Sequence, residues 1–140
     1  MSDMLDDVKK TMAITGGEIL IGNVDNTLSS QISTQKLFDH IELLKSNNIK
    51  ERVLCVEGTK NVLSPNDECR WIPKTATEGR MVTFIYGTKL ALQLPNNSMI
   101  LIINSAEAQQ AETKRFEQLW LSATPPETVT KTPEKTRSAS

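Results

Sequence analysis

The 140-residue chain has one histidine, two cysteines, one tyrosine and no hydrophobic run approaching a membrane span. A structural zinc site takes four thiolate or imidazole ligands, so a metal knuckle is not expected, and no cofactor-binding signature stands in its place. Cys55 and Cys69 lie in two segments that read as strands. With no secretory segment ahead of them, the expectation is two free, mostly buried thiols in a cytoplasmic protein. The longest apolar stretch, Met99 to Ile103, falls far short of the roughly 20 residues that cross a bilayer. No membrane partner is expected. Charge of one sign is lacking too: 16 Lys plus Arg stand against 17 Asp plus Glu. That balance gives no global attraction to phosphate polymers and points away from direct nucleic-acid binding. Nor is there a Walker loop, a serine nucleophile elbow or a dinucleotide-type glycine turn; Gly16-Gly17 precedes a strand instead of following one.

What is present is alternation of helical and strand patterns. Met4, Leu5, Val8, Met12 and Ile14 recur at helical intervals from Asp3 to Thr15, and Gly16-Gly17 supply a stop. Glu18 to Val24 is too apolar for a half-exposed edge and predicts a strand covered on both faces. Ser33 or Thr34 can cap a helix carrying Leu37, Phe38, Ile41 and Leu44, and Arg52 to Val56 follows as a strand. This strand–helix–strand order suits a parallel crossover. Glu57 to Glu68 reads as an irregular connection with a short strand possible at Asn61 to Leu63. Cys69 to Ile72 is a short strand ended by Pro73. Met81 to Tyr86 and Lys89 to Leu94 then form a hairpin about Gly87-Thr88, and Pro95 to Ser98 reverses the chain before Met99 to Ile103. The last helix, capped by Asn104 or Ser105, has an apolar side of Ala108, Ala111, Phe116, Leu119, Trp120 and Ala123. The expected architecture is one α/β domain over residues 1–123, a mixed sheet with flanking helices and a C-terminal β-meander. A flexible tail is expected over residues 124–140.

The chemistry-bearing residues are sparse. Asp25-Asn26 at the end of a central strand suits ligand contact or an Asx-type turn. Glu57 follows another strand end. Cys69-Arg70-Trp71 can set an arginine and an aromatic beside a cleft, or bury Trp71 with Arg70 at the rim. A pocket at the strand ends would draw on Asp25, Asn26, Glu57, Arg70 and Trp71. Carboxylates accept hydrogen bonds there, arginine orients an anion and tryptophan adds apolar contact. Arg70, Lys74, Arg80 and Lys89 can gather as an anion patch or stay scattered. Cys55 is a packing thiol or a nucleophile, and His40, beside Asp39, has no sequence-local orienting partner. Phe116, Leu119 and Trp120 can anchor the last helix on the sheet or in an oligomer contact.

Phe84-Ile85-Tyr86-Gly87-Thr88-Lys89-Leu90-Ala91, then Met99 to Ile103, then Arg115-Phe116-Glu117-Gln118-Leu119-Trp120 resembles the end of the phospholipase-D-like sensor domains of TrmB-type transcriptional regulators. The earlier segments fit the first part of that arrangement, so the resemblance covers most of residues 4–123. Active phospholipase-D-like enzymes carry H-x-K-x4-D; aligning the acid with Tyr86 puts Gly79 and Met81 where histidine and lysine would stand. The resemblance therefore implies a non-catalytic sensor or dimerisation domain, a homo-oligomer that takes a small effector or a regulatory protein. The N-terminal segment is too short for the family's winged-helix DNA reader. A protein-interaction adaptor and a residual phosphodiesterase or other hydrolase are the alternatives.

Overall fold

The computed structural model describes residues 2–60, 63–65, 67–77, 81–94 and 99–126. Among the described residues three α-helices and six strands follow in the order α1 (Ser2–Thr15), β1 (Glu18–Val24), α2 (Thr34–Ser46), β2 (Lys50–Val56), β3 (Glu68–Ile72), β4 (Val82–Tyr86), β5 (Lys89–Gln93), β6 (Ile100–Asn104) and α3 (Ala106–Ser122). The strands make one mixed open sheet ordered β3-β2-β1-β4-β5-β6. β1, β2 and β3 are parallel, whereas β1–β4, β4–β5 and β5–β6 pair antiparallel.

Local chemistry explains the boundaries. α1 stops where Gly16 takes φ +60° and its N–H donates to the Met12 carbonyl at 2.8 Å. Ser33 caps α2, its Oγ accepting from the Lys36 N–H at 3.2 Å, and Ser105 caps α3 through the Ala108 N–H at 3.1 Å. Of the two candidate caps named for each helix, the serine serves in both. Gly87 turns the β4–β5 hairpin at φ +59°, and a Cβ there would meet Thr11 Cγ2 at 2.8 Å, so the turn is held against α1.

The sheet is covered on both faces. On one, Met4, Leu5, Val8 and Met12 of α1 and Leu43 and Leu44 of α2 pack on Ile19, Ile21, Val53, Cys55, Phe84 and Tyr86. On the other, Phe116 and Trp120 of α3 pack on Leu20, Leu54, Ile72, Ile85 and Leu90. Alternation along β1 and β2 sends successive residues to opposite cores, which is why both strands read as continuous apolar runs. Each large side chain fully buried here contributes about 1.5–3 kcal/mol.

Several details depart from the sequence pattern. Ile14 is 84% exposed and Phe38 59% exposed, so neither belongs to the apolar stripe that spacing assigned it. Each lies beside, not on, the arc that meets the sheet. Leu63 is buried but not in a strand, and Asn61, Val62 and the 95–98 reversal lie outside the described residues. Thr124, expected as the first residue of a flexible tail, pairs with β3: the Trp71 N–H donates to its carbonyl at 2.6 Å and its N–H donates back at 3.0 Å. Residues 127–140 lie outside the described residues. No helix among the described residues is long and apolar enough to cross a membrane.

Candidate functional site

The five residues named as a strand-end pocket fall on both faces of the sheet. Asp25 Oδ1 accepts from the Thr27 N–H at 2.9 Å and from the Thr27 hydroxyl at 2.5 Å, an Asx turn closed on itself. Asn26 Oδ1 accepts from the Lys60 N–H at 2.8 Å, pinning the β2–β3 connection to the β1 end. Glu57 is exposed. Trp71 is buried on the α1/α2 face, its indole N–H donating to the Thr59 carbonyl at 3.2 Å, whereas the preceding Arg70 points to the α3 face. Alternation along a strand parts these two neighbours, so the core-and-rim arrangement is the one adopted. The basic set parts in the same way. Arg70 meets α3, Lys89 meets Asp7 and Thr11 of α1 at 3.1 Å, and Arg80 lies outside the described residues.

Phe116 and Trp120 are 4% and 6% exposed within the single chain, and Leu119 is half-buried beside them. The two rings stack with centroids 5.7 Å apart at 18°. Arg70 Nη1 donates to the Trp120 carbonyl at 2.7 Å, a cation satisfying the end of a helix, and its guanidinium lies 4.4 Å from the Trp120 ring centroid. Arg52 sits over both rings and donates to Glu18 at 2.6 and 3.0 Å and to Glu117 at 2.8 and 2.6 Å. Hydrogen bonding to Arg52 lowers the Glu117 carboxyl, and the two carboxylates raise the guanidinium. This constellation fastens α3 to the sheet and leaves neither ring as a free contact surface.

A buried cluster of titratable side chains lies on the opposite face. His40, on α2, and Glu51, on β2, have side chains 2% and 1% exposed, with Nε2 and Oε2 2.6 Å apart. Asp67, just before β3, borders Glu51, and its Oδ2 accepts from the Ser64 N–H at 3.1 Å. Burial pushes Glu51 up. Burial also pushes Asp67 up, helped by the neighbouring Glu51 charge. Burial lowers His40. Every one of these shifts disfavours formal charge in the buried cluster. His40 Nδ1, Glu51 Oε1 and Asp67 Oδ1 have no hydrogen-bond partner among the described residues. Cys55 and Cys69 adjoin this cluster. Their mutual contact raises the buried Cys55 thiol and lowers the half-buried Cys69 thiol, whose Sγ–H also reaches the Asp67 carbonyl at 3.8 Å.

Beside this cluster a hollow of about 380 Å³ opens between the C-terminal half of α2 and the first residues of β1, β2 and β3. Ile41, Leu44 and Ile49 give it apolar lining, Glu51, Ser64 and Asp67 polar lining, and Lys45, Lys50 and Glu68 exposed charges. It lies at the N-terminal ends of the parallel strands, away from the Asp25 and Glu57 ends. Sequence reading passed over Glu51 and Asp67, which sit in polar stretches. His40 carried a usable signal, because it falls on the Leu37-to-Leu44 helical stripe, where an imidazole is expected to be buried.

At the positions aligned with the H-x-K-x4-D pattern the chain is committed to structure. Tyr86 is fully buried and its hydroxyl donates to Asp7 Oδ2 at 2.9 Å, while the Met81 carbonyl accepts from Asn23 at 2.9 Å and Thr83 at 3.2 Å. Gly79 lies outside the described residues. No group of His, Cys, Asp or Glu among the described residues is arranged to hold a metal ion. No known family model matches the chain, and a comparison with curated proteins likewise finds no match.

Proposed function

We propose that the chain is a non-catalytic regulatory module of the phospholipase-D-like sensor type that holds a small effector in the hollow beside α2. The observation that carries this reading is the hollow itself, about 380 Å³ with apolar and polar lining at one end of the sheet. The occupation of positions 81 and 86 by Met and Tyr supports the non-catalytic part. Neither side chain supplies the cationic or acidic group that phosphodiester cleavage by that pattern uses. An effector seated against α2 and β2 would act by favouring one subunit arrangement, which requires different affinities for the alternatives.

Native mass spectrometry of the full chain, purified without denaturation, tests the reading. Ile41 lines the hollow and is half-buried, so Ile41→Trp fills it, whereas Leu121→Ser alters an exposed site on α3. The wild type and Leu121→Ser are expected to retain a low-mass species that Ile41→Trp has lost. A wild type that carries nothing, or a species that stays on Ile41→Trp, removes the hollow as an effector site.

A further inference from the structure

We propose that the β6 edge is a homodimer interface at which two copies pair their Ile100–Asn104 strands antiparallel about a two-fold axis, joining two six-stranded sheets into one. The inference is independent of the effector reading, since it needs no ligand.

The two edges of the sheet are finished differently. At β3 the chain covers its own edge, with Trp71 and Thr124 exchanging both backbone hydrogen bonds. At β6 no further strand lies alongside among the described residues. Edge strands that stay single are usually protected by charge, proline or a bulge. Met99-Ile100-Leu101-Ile102-Ile103-Asn104 has no charge and no proline, and its pairing with β5 runs without a break in register.

Leu101 is 46% and Ile102 44% exposed. Ile102 stands opposite Ala91, on the α1/α2 face, and Leu101 opposite Leu92, on the α3 face. Apolar surface is therefore open on both faces of one edge. A helix laid on the sheet would cover one of them; an added strand covers both and satisfies the outer backbone groups as well.

Three features single out a second copy as that strand. A two-fold axis perpendicular to the sheet makes the new pairing antiparallel, continuing the β4-β5-β6 pattern. Centred on Ile102, it sets Ile102 against its counterpart and Leu101 against Ile103, apolar against apolar on each face, with Ile100 opposite Asn104 at the two ends of the pairing. Symmetric pairing sets like charges face to face when a strand is charged, and this strand has none. The assembly also terminates, because the outer edges of the joined sheet are then two β3 edges, each already paired with Thr124.

Light scattering on the full chain at two concentrations tests the proposal. The wild type is expected at twice the 15.6 kDa chain mass and Ile102→Lys and Leu101→Lys at the single mass with unchanged circular dichroism. In parallel, Ile102→Cys is expected to give a disulfide-linked dimer under mild oxidation and Leu121→Cys, equally cysteine-bearing but on an exposed part of α3, none. A monomeric wild type, an assembly larger than two, a dimer that survives both lysine variants, or cross-linking at Leu121→Cys without Ile102→Cys overturns it.

Discussion

Glu51 and Arg52 are neighbours on β2, yet they meet opposite fates. Alternation sends Glu51 beneath α2, where it shares a proton contact with His40 and lies beside Asp67, and sends Arg52 out over Phe116 and Trp120, between two carboxylates. On the first face, burial suppresses charge; on the second, partial exposure and paired hydrogen bonds keep it. A strand thus carries two unlike electrostatic environments one residue apart, and the difference comes from what covers each face. Aromatic packing and a fixed guanidinium hold α3, whereas a polar network under tension from desolvation sits beneath α2.

If the α3 face owes its stability to the stacked rings, Trp120→Ala should cost about 3–5 kcal/mol in urea unfolding. Leu121→Ala, next in sequence but 83% exposed, should stay within about 0.5 kcal/mol. Comparable losses from the two would erase the packing argument. The α2 face makes a different forecast. Glu51→Leu strips His40 Nε2 of its partner and should cost about 1–3 kcal/mol. Adding His40→Leu should restore most of that, since a buried polar pair replaced by apolar side chains is often neutral. A double variant as unstable as the sum of the singles would mean that the pair itself stabilises the fold. The smallest effect concerns pH. Asp67 is raised, so the folded chain keeps a proton that the unfolded chain has released, and stability falls as pH climbs from the ordinary carboxylate range toward the raised value. Glu51 is raised as well and adds to that fall, whereas His40 is lowered and acts in the opposite sense, in wild type and variant alike. Asp67→Asn removes the first contribution and should flatten the decline between about pH 4 and 7 by of order 1 kcal/mol. An equally steep profile in the variant would show that Asp67 is not the group that binds the proton.

The strands β1, β2 and β5, the serine caps and the Gly87 turn were legible because each depends on residues within a few positions of one another. The buried cluster was not, since it is assembled from α2, β2 and the segment before β3, and nothing near Glu51 marks it as covered: Lys50 and Arg52 flank it. Arg70 and Trp71 showed that strand alternation splits a dipeptide that invites reading as one site. Phe38 and Ile14 were misplaced for a related reason, because periodicity sets an arc on a helix while the neighbouring elements choose which degrees of that arc they touch. The aromatic pair at Phe116 and Trp120 was legible as an anchor, and the two arginines above it were not, being supplied by strands far back in the chain.

The position of β1 has a bearing on how the polypeptide reaches this state. The first strand in the chain ends up near the middle of the sheet, between β2 and β4. Its parallel partner lies about thirty residues downstream, whereas the antiparallel one pairs Leu20 with Ile85. During vectorial synthesis one flank of β1 therefore has no neighbour of its own until the hairpin has emerged, and α1 waits equally long for Tyr86 and Lys89 to reach Asp7. Such long-range closures slow folding. A chain halted near residue 80 would leave one flank of Glu18–Val24 as an unpaired apolar edge, and the completed hairpin is what removes that hazard.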